Sequence, residues 1–251
     1  MTSARYLDGR VALITGAGGE IGTAIAVRLA AMGAAIVVNH RDDTDAQAAQ
    51  HAAAAVRAEG SQALVVQADI RDPAAVRHLF DAADARFGRL DVLVNNAGIG
   101  VFGPVIELTD ADFERAVAAN LRGVFLACRE AATRLSPGGR VITLSSSSTS
   151  VTLPGYGLYS ATKAAAEQLS RALAQELGAR QITVNVISPG PIDTAAFRRG
   201  KTEDLIERMR TMSPLRRLGT PQDVADAIGL LCQPGAGWIT GQNIKVNGGQ
   251  A

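Results

Sequence analysis

The chain has few cysteines and almost no net charge. Its 251 residues include two cysteines, Cys128 and Cys232, which fit no metal-ligand spacing and cannot form a disulfide-rich scaffold. We therefore expect a reducing, cytoplasmic setting, no metal site and a packing role for both thiols. A formal charge of +1 is too small for the multi-phosphate contacts that nucleic-acid binding requires, so no nucleic-acid partner is expected.

Long hydrophobic runs are also missing. No apolar stretch approaches the roughly 18 residues of a membrane span, and Arg5, Asp8 and Arg10 interrupt any secretory signal. We accordingly expect no membrane partner. With 47% hydrophobic and 20% charged residues, the composition is that of a folded globular protein rather than a disordered or fibrous one.

Short apolar runs alternate with alanine-rich segments of helical periodicity. The runs are bounded by Gly, Asn, Asp or Ser, which is typical of buried parallel strands. They cover residues 11–15, 35–39, 63–67, 92–95, 141–144, 182–187 and 244–246. The helical segments cover residues 21–32, 45–59, 74–87, 110–135, 159–177 and 221–232. This alternation predicts an α/β fold in which a doubly wound, parallel, seven-stranded sheet has helices on both faces, in one domain over residues 1–251.

One segment, residues 188–213, does not follow the alternation. It begins Ser-Pro-Gly-Pro and lies between the last two predicted strands, which favours a mobile substrate lid. Its cations Arg198, Arg199 and Lys201 could engage an anion. Cations on a polar surface segment are more often simply solvated, however, so we do not assign these three to the site.

A glycine-rich loop follows the first strand and opens the first helix. Its sequence from Thr15 to Gly22 is TGAGGEIG, and backbone N–H groups at a helix N-terminus favour an anion such as a pyrophosphate. Its spacing is not the usual G-x-G-x-x-G, so the loop alone is a weak signal. A tight turn without a ligand is the alternative. The predicted cofactor contacts in this loop are Gly16, Gly18, Ile21 and Gly22.

Tyr159 and Lys163 are four residues apart in a predicted helix, which places them on one face about 6 Å from each other. A phenol of pKa about 10 needs about 4 kcal/mol of phenolate stabilisation to act as an acid or base near neutrality. An ammonium about 4 Å away can stabilise the phenolate by a free energy of that size, so we expect Lys163 to lower the pKa of Tyr159. Ser146 follows the fifth strand at the end of the sheet where ligands bind, and it could hold a carbonyl oxygen.

These motifs, taken in order, resemble the short-chain dehydrogenase/reductase family over essentially the whole chain, from Val11 to Gly249. The resemblance lies in Thr15–Gly22, Asp69-Ile70, Asn95-Asn96-Ala97-Gly98, Asn120, Ser146, Tyr159–Lys163, Pro189-Gly190 and Ile239-Thr240-Gly241-Gln242. It implies a Rossmann fold and an NAD(P)-dependent oxidoreductase. A homotetramer is also implied, in agreement with the apolar circumference of helices 110–135 and 159–177.

The resemblance also implies roles for individual residues. Asn120, Ser146, Tyr159 and Lys163 would form a catalytic tetrad in which Tyr159 moves the proton, Ser146 orients the carbonyl and Asn120 positions a water with Lys163. Lys163 would also contact the nicotinamide ribose. The remaining implied cofactor contacts are Asp69 and Ile70 at the adenine, Asn96, Ala97 and Gly98 along the cofactor, and Pro189, Gly190, Ile192 and Thr194 at the nicotinamide amide.

The chain departs from the family pattern at two positions. Glu20 replaces the second loop glycine and puts a carboxylate near the expected phosphates, which is harmless if it points to solvent. Asn247 stands where an aspartate is more usual, and we expect a structural consequence at most.

The second strand ends in Asn39-His40-Arg41, which bears on the choice of cofactor. An NAD enzyme would offer a carboxylate there to the ribose 2′-hydroxyl, whereas an NADP enzyme would offer a cation. His40 occupies the expected acidic position, and Arg41 could bind a 2′-phosphate. The sequence therefore favours NADP(H) over NAD(H), although Asp42, Asp43 and Asp45 follow closely.

The predicted function is reduction of a small-molecule ketone to a secondary alcohol, as in the similar 3-oxoacyl-carrier-protein and polyhydroxynaphthalene-type reductases. Two alternatives stay open, namely an alcohol dehydrogenase of the sugar or steroid type and a catalytically silent nucleotide-binding scaffold. Arg180 suits a carrier-protein partner, but residues 136–139 lack a basic cluster, so free small or aromatic ketones are favoured.

Overall fold

A single parallel sheet forms the centre of the protein. The computed structural model describes residues 5–151 and 153–251. The strands are β1 Val11–Ile14, β2 Ala35–His40, β3 Ala63–Gln67, β4 Val92–Asn95, β5 Arg140–Leu144, β6 Thr183–Pro189 and β7 Asn243–Val246. Their order is β3-β2-β1-β4-β5-β6-β7, and every neighbouring pair is parallel. The predicted doubly wound, seven-stranded α/β fold is confirmed.

Helices cover both faces of this sheet. They are α1 Glu20–Ala31, α2 Asp43–Ala58, α3 Pro73–Phe87, α4 Asp110–Val117, α5 Gly123–Arg134, α6 Gly157–Leu177, α7 Ala195–Arg198, α8 Glu203–Met212 and α9 Pro221–Leu231. Alternate residues of β1 enter different cores, because successive side chains of a strand point to opposite faces. Ala12 and Ile14 pack with α1, α2 and α9, whereas Val11 and Leu13 pack with α3, α5 and α6.

Local sequence signals account for most helix boundaries. Asp72 caps α3 by accepting from the Ala74 backbone N–H, next to Pro73 at the first helical position. Gly88 ends the same helix with a left-handed φ of 71°. Thr220 and Asp223 form a reciprocal capping box at the start of α9. Because these signals act over a few residues, they could be recognised in the sequence.

Two segments differ from their predictions. The predicted helix 110–135 is interrupted by a π-helical turn at Ala118–Arg122, which separates α4 from α5. The 188–213 segment is not wholly irregular, since β6 extends to Pro189 and α7 and α8 lie within it. Within residues 5–151 and 153–251, no helix is both long enough and apolar enough to cross a membrane.

Candidate active site

A cavity of about 660 Å³ opens at the carboxyl ends of the strands, next to β1 and β4. The chain turns to opposite sides of the sheet after these two strands, and such a switch point is where open α/β sheets bind ligands. Predicted cofactor residues on its wall are Gly16, Gly18, Ile21, Gly22, Asn39, His40, Arg41, Asp69, Ile70, Asn96, Ala97, Gly98 and Thr194. Gly190 and Ile192 instead line a separate cavity of about 240 Å³, and Pro189 ends β6.

The phosphate loop is held in shape by close backbone contacts. Gly16 has a φ of 62°, and a Cβ there would lie 3.0 Å from the Ala97 Cα. A Cβ at Gly22 would lie 2.5 Å from the Gly16 carbonyl oxygen. Asn96 Nδ2 donates to the carbonyl oxygens of Thr15 and Gly16 at 2.9 and 3.0 Å. Asn96 therefore positions the loop, and the glycines are required because a side chain would collide with neighbouring protein atoms.

Asn39 supports the same loop from the second strand. Its Oδ1 accepts from the Gly16 backbone N–H at 3.2 Å, and its Nδ2 donates to the Ala68 carbonyl oxygen at 2.9 Å. The side chain is buried, and these hydrogen bonds are needed because an unpaired buried amide is costly. The structure thus places Asn39 on the cavity wall with its polar atoms already engaged by backbone.

Arginines and aspartates alternate at the end of the cavity beside β2 and β3. Arg41 Nε lies 2.6 Å from a carboxylate oxygen of Asp42, and Arg41 Nη2 lies 3.6 Å from one of Asp45. Arg71 binds the Asp69 carboxylate, and this hydrogen bond holds the pKa of Asp69 below its usual range. The sequence analysis missed Arg71, although a cation directly after Asp69-Ile70 could have indicated it.

Tyr159 lies in the first turn of α6 within a cluster of aromatic rings. The Phe102 ring centroid is 5.2 Å from that of Tyr159 and 4.6 Å from that of Tyr156. Burial raises the pKa of Tyr159 above its usual value, and interaction with the Ser146 hydroxyl offsets only part of the effect. Tyr159 is therefore a protonated acid at neutral pH.

The expected lowering of the Tyr159 pKa by Lys163 is not seen in this structure, in which burial raises that pKa. Lys163 Nζ lies 6.0 Å from the Tyr159 ring centroid and donates to the Leu144 carbonyl oxygen at 2.8 Å. One N–H of the ammonium is thus directed at the carbonyl oxygen that ends β5. Burial lowers the pKa of Lys163 to about 8, and the nearby Glu167 carboxylate opposes this shift.

Asn120 lies in the π-helical turn between α4 and α5. Such turns are rare in proteins, and those that occur are often found at functional sites. Its Oδ1 accepts from the Ile99 N–H at 2.8 Å, and its Nδ2 donates to the Ile99 carbonyl oxygen at 2.9 Å. A Cβ at Gly98 would lie 3.0 Å from Asn120 Oδ1 and 3.1 Å from Lys163 Nζ. Gly98 thus allows Asn120 and Lys163, two residues of the predicted tetrad, to approach the loop after β4.

The serine-rich run that carries Ser146 is anchored on both sides. Glu167, one turn beyond Lys163, accepts from the hydroxyls of Ser145 at 2.5 Å and Thr149 at 2.7 Å. Asn247 Nδ2 donates to the Ser147 hydroxyl at 3.1 Å. The departure at Asn247 therefore has a structural role, and Glu167 is a supporting residue that the sequence analysis missed.

Glu20 is exposed on the cavity wall, but it does not simply point to solvent. Its Oε1 accepts from the Ala195 backbone N–H at 2.7 Å. This hydrogen bond joins the start of α1 to the start of α7. The carboxylate that replaces a loop glycine therefore fastens residues 188–213 to the phosphate loop.

Comparisons with known proteins match nearly the whole chain. Residues 16–251 match a family model described as enoyl-(acyl carrier protein) reductase. The chain is 42% identical to an NADPH-dependent aldehyde reductase-like chloroplastic protein of Arabidopsis thaliana, over 97% of this chain and 94% of that protein. It is also 42% identical to the versicolorin reductase stcU of Emericella nidulans, over 97% and 96% of the two chains. The NADP-bound structure of the angucycline C-6 ketoreductase LanV is 34% identical, with a TM-score of 0.92 over 99% of this chain and 98% of its own.

Proposed function

The chain belongs to the short-chain dehydrogenase/reductase family of oxidoreductases, which act on carbonyl and alcohol groups with NAD(P), and from that premise we propose that it is an NADP(H)-dependent ketoreductase. In this proposal Tyr159 is the general acid, and the product is a secondary alcohol. The observation that carries the proposal is the cluster of Ser146, Tyr159 and Lys163, which approaches the main cavity where Lys163 Nζ lies against Gly98. The experiment that tests it is the replacement of Tyr159, argued in the Discussion.

The protonated form of Tyr159 is the form from which ketone reduction starts, while the ratio of reduced to oxidised cofactor and the substrate set the direction of turnover. Reduction needs a protonated phenol that gives its proton to the carbonyl oxygen, whereas alcohol oxidation begins with a base. Because burial raises the Tyr159 pKa, the acid form dominates at neutral pH. The Ser146 hydroxyl lies beside the phenol and can hold the same carbonyl oxygen. Bound NADPH would supply the hydride to the carbonyl carbon.

The residues present fit a dinucleotide. The glycine loop offers backbone N–H groups at the start of α1, where added Cβ atoms would collide with the protein itself. Arg41 would bind the 2′-phosphate, and Asp69 and Ile70 would border the adenine. Further proposed contacts are Asn96, Ala97, Gly98, Lys163, Pro189, Gly190, Ile192 and Thr194.

A ring cluster at Tyr159 favours a flat or aromatic ketone. Phe102 is 53% exposed although its ring packs against both Tyr156 and Tyr159, so it presents an apolar face next to the proposed proton donor. Arg180, which suited a carrier protein, donates instead to the backbone carbonyls of Ala132 and Leu135. We therefore favour a free ketone.

Phe102→Ala should weaken binding of aromatic ketones without impairing proton transfer. Aromatic contacts contribute about 0.5–1.5 kcal/mol, which predicts a KM about fivefold higher and a kcat within about twofold. The measurement is steady-state kinetics with a series of ketones differing in ring number. Tyr6→Ala, which removes an exposed ring outside this cluster, is the control. An unchanged KM for every aromatic ketone would contradict the assignment.

Residues 188–213 form the proposed substrate lid of a single catalytic domain that spans residues 1–251. Thr194, Ala196 and Arg199 of this segment line the main cavity, so its position bears directly on access to the cofactor. The lid contains α7 and α8, and the Glu20 hydrogen bond to Ala195 connects it to α1. We place the enzyme in the cytoplasm, where NADPH is the common reductant.

Exposed apolar side chains support a homotetramer. Phe113 and Phe125, on α4 and α5, are 52% and 45% exposed, and Trp238 is 98% exposed. Large exposed aromatic residues are typical of protein interfaces. Light scattering coupled to gel filtration should therefore give four times the chain mass, and a monomer at all concentrations would contradict the tetramer.

A further inference from the structure

The three cations of the proposed lid differ in their surroundings. Arg198 binds Asp193 at 2.6 Å and approaches Glu203 at 3.5 Å. Lys201 Nζ donates to the Phe197 carbonyl oxygen and lies 4.5 Å from the Phe197 ring centroid. The Arg199 guanidinium has neither a carboxylate nor a hydrogen-bond acceptor among residues 5–151 and 153–251. It is exposed and lines the main cavity.

Arg199 belongs to the part of the lid that is joined to the phosphate loop. Its backbone N–H donates to the Ala195 carbonyl oxygen at 3.1 Å, so it lies one helical turn after Ala195. The Ala195 N–H is bound by Glu20, the first residue of α1. Arg199 and Gly19 line the same cavity, so the long arginine side chain is available to a ligand in the space in front of the loop.

Among the arginines that line the cavity, Arg199 differs from the others in its lack of an aspartate partner within the described residues. The guanidiniums of Arg41, Arg71 and Arg115, which also line it, each bind an aspartate. The phosphate loop has no lysine or arginine between residues 15 and 22, and Glu20 adds a negative charge there. A pyrophosphate at this loop would meet only the backbone N–H groups of α1, and a cation from elsewhere in the cavity would strengthen its binding.

We propose that Arg199 binds the pyrophosphate of the dinucleotide from the lid side, opposite the N-terminus of α1. The inference rests on the proposed function, since it requires a dinucleotide in the main cavity. A guanidinium can donate two parallel hydrogen bonds to phosphate oxygens, which suits an arginine that lines the same cavity as the loop and has no partner among the described residues. Arg199 thereby offsets the charge of Glu20 and couples the position of the lid to cofactor binding.

The experiment measures nucleotide binding by calorimetry, without substrate. Arg199→Ala should raise the Kd of NADPH and of NADH alike, each about tenfold, because both contain the pyrophosphate and a charged hydrogen bond has about that effect. The Kd of adenosine 2′-monophosphate, which has no pyrophosphate, should stay within twofold. Arg208→Ala is the matched control, since Arg208 is an exposed lid arginine outside the cavity. It should leave all three Kd values unchanged.

The possible outcomes separate this inference from the proposed function. If wild-type protein binds NADPH and Arg199→Ala binds both dinucleotides as tightly, Arg199 has no role in binding and the inference fails alone. A loss confined to NADPH and adenosine 2′-monophosphate would assign Arg199 to the 2′-phosphate and would also overturn it. If wild-type protein binds neither dinucleotide, the proposed function itself fails. Equal losses in the Arg208→Ala control would show a general charge effect and reject the specific contact.

Discussion

Replacing Tyr159 by phenylalanine is expected to reduce kcat for ketone reduction roughly a thousandfold, the scale of a lost general acid. The variant keeps the ring that packs against Phe102 and removes only the hydroxyl beside Ser146. Ground-state binding does not depend on that proton, so the Kd of NADPH should change less than threefold. The measurement combines NADPH oxidation, followed by absorbance, with an independent binding titration.

Tyr156→Phe provides the control for this experiment. Tyr156 belongs to the same ring cluster, with its centroid 6.5 Å from that of Tyr159, and burial raises its pKa as well. Its variant should retain turnover within a few-fold. If Tyr159→Phe were as active as the wild type, Tyr159 could not be the proton donor. A protein that binds NADPH but reduces no ketone in wild-type form would instead support the silent scaffold.

Arg41→Ala is expected to raise the KM for NADPH about a hundredfold, the upper range for a charged hydrogen bond, and the KM for NADH less than threefold. Removing the guanidinium abolishes its bond to the 2′-phosphate. It also leaves the carboxylates of Asp42 and Asp45 without their cation, so that they would repel the phosphate. NADH has a hydroxyl at this position and loses neither interaction. Parallel steady-state kinetics with the two cofactors measure the ratio.

The control for Arg41 is Arg77→Ala, which removes an exposed arginine from α3 outside the cavity. It should change neither KM. Equal losses with NADPH and NADH in Arg41→Ala would show that Arg41 does not distinguish the 2′-phosphate from a hydroxyl. The preference for NADP(H) would then need another residue, and Arg71 is the nearest candidate on the same cavity wall.

The Tyr159–Lys163 pair shows how far a spacing rule extends. Four residues in a helix place the two side chains on one face, and their observed separation agrees with that rule. The direction of the ammonium depends on the Leu144 carbonyl at the end of β5, which no local spacing specifies. Burial then decides the pKa of both groups, since it penalises each charged form. Proximity was predictable, whereas the electrostatic consequence was not.

The sequence by itself determined the order of strands and helices along the chain, the starts of α3 and α9 and the glycine loop, because each depends on periodicity or on contacts within a few residues. The family resemblance predicts the tetrad, again from short motifs. Only the tertiary structure decided what lies between distant segments. Glu20 meets Ala195 across 175 residues, and Asn247 meets Ser147 across 100. Arg199 is distinguished by having no carboxylate or acceptor partner in the part of the chain that the structure describes. Such contacts depend on how the helices and strands pack against one another, and residue spacing along the chain does not predict that packing.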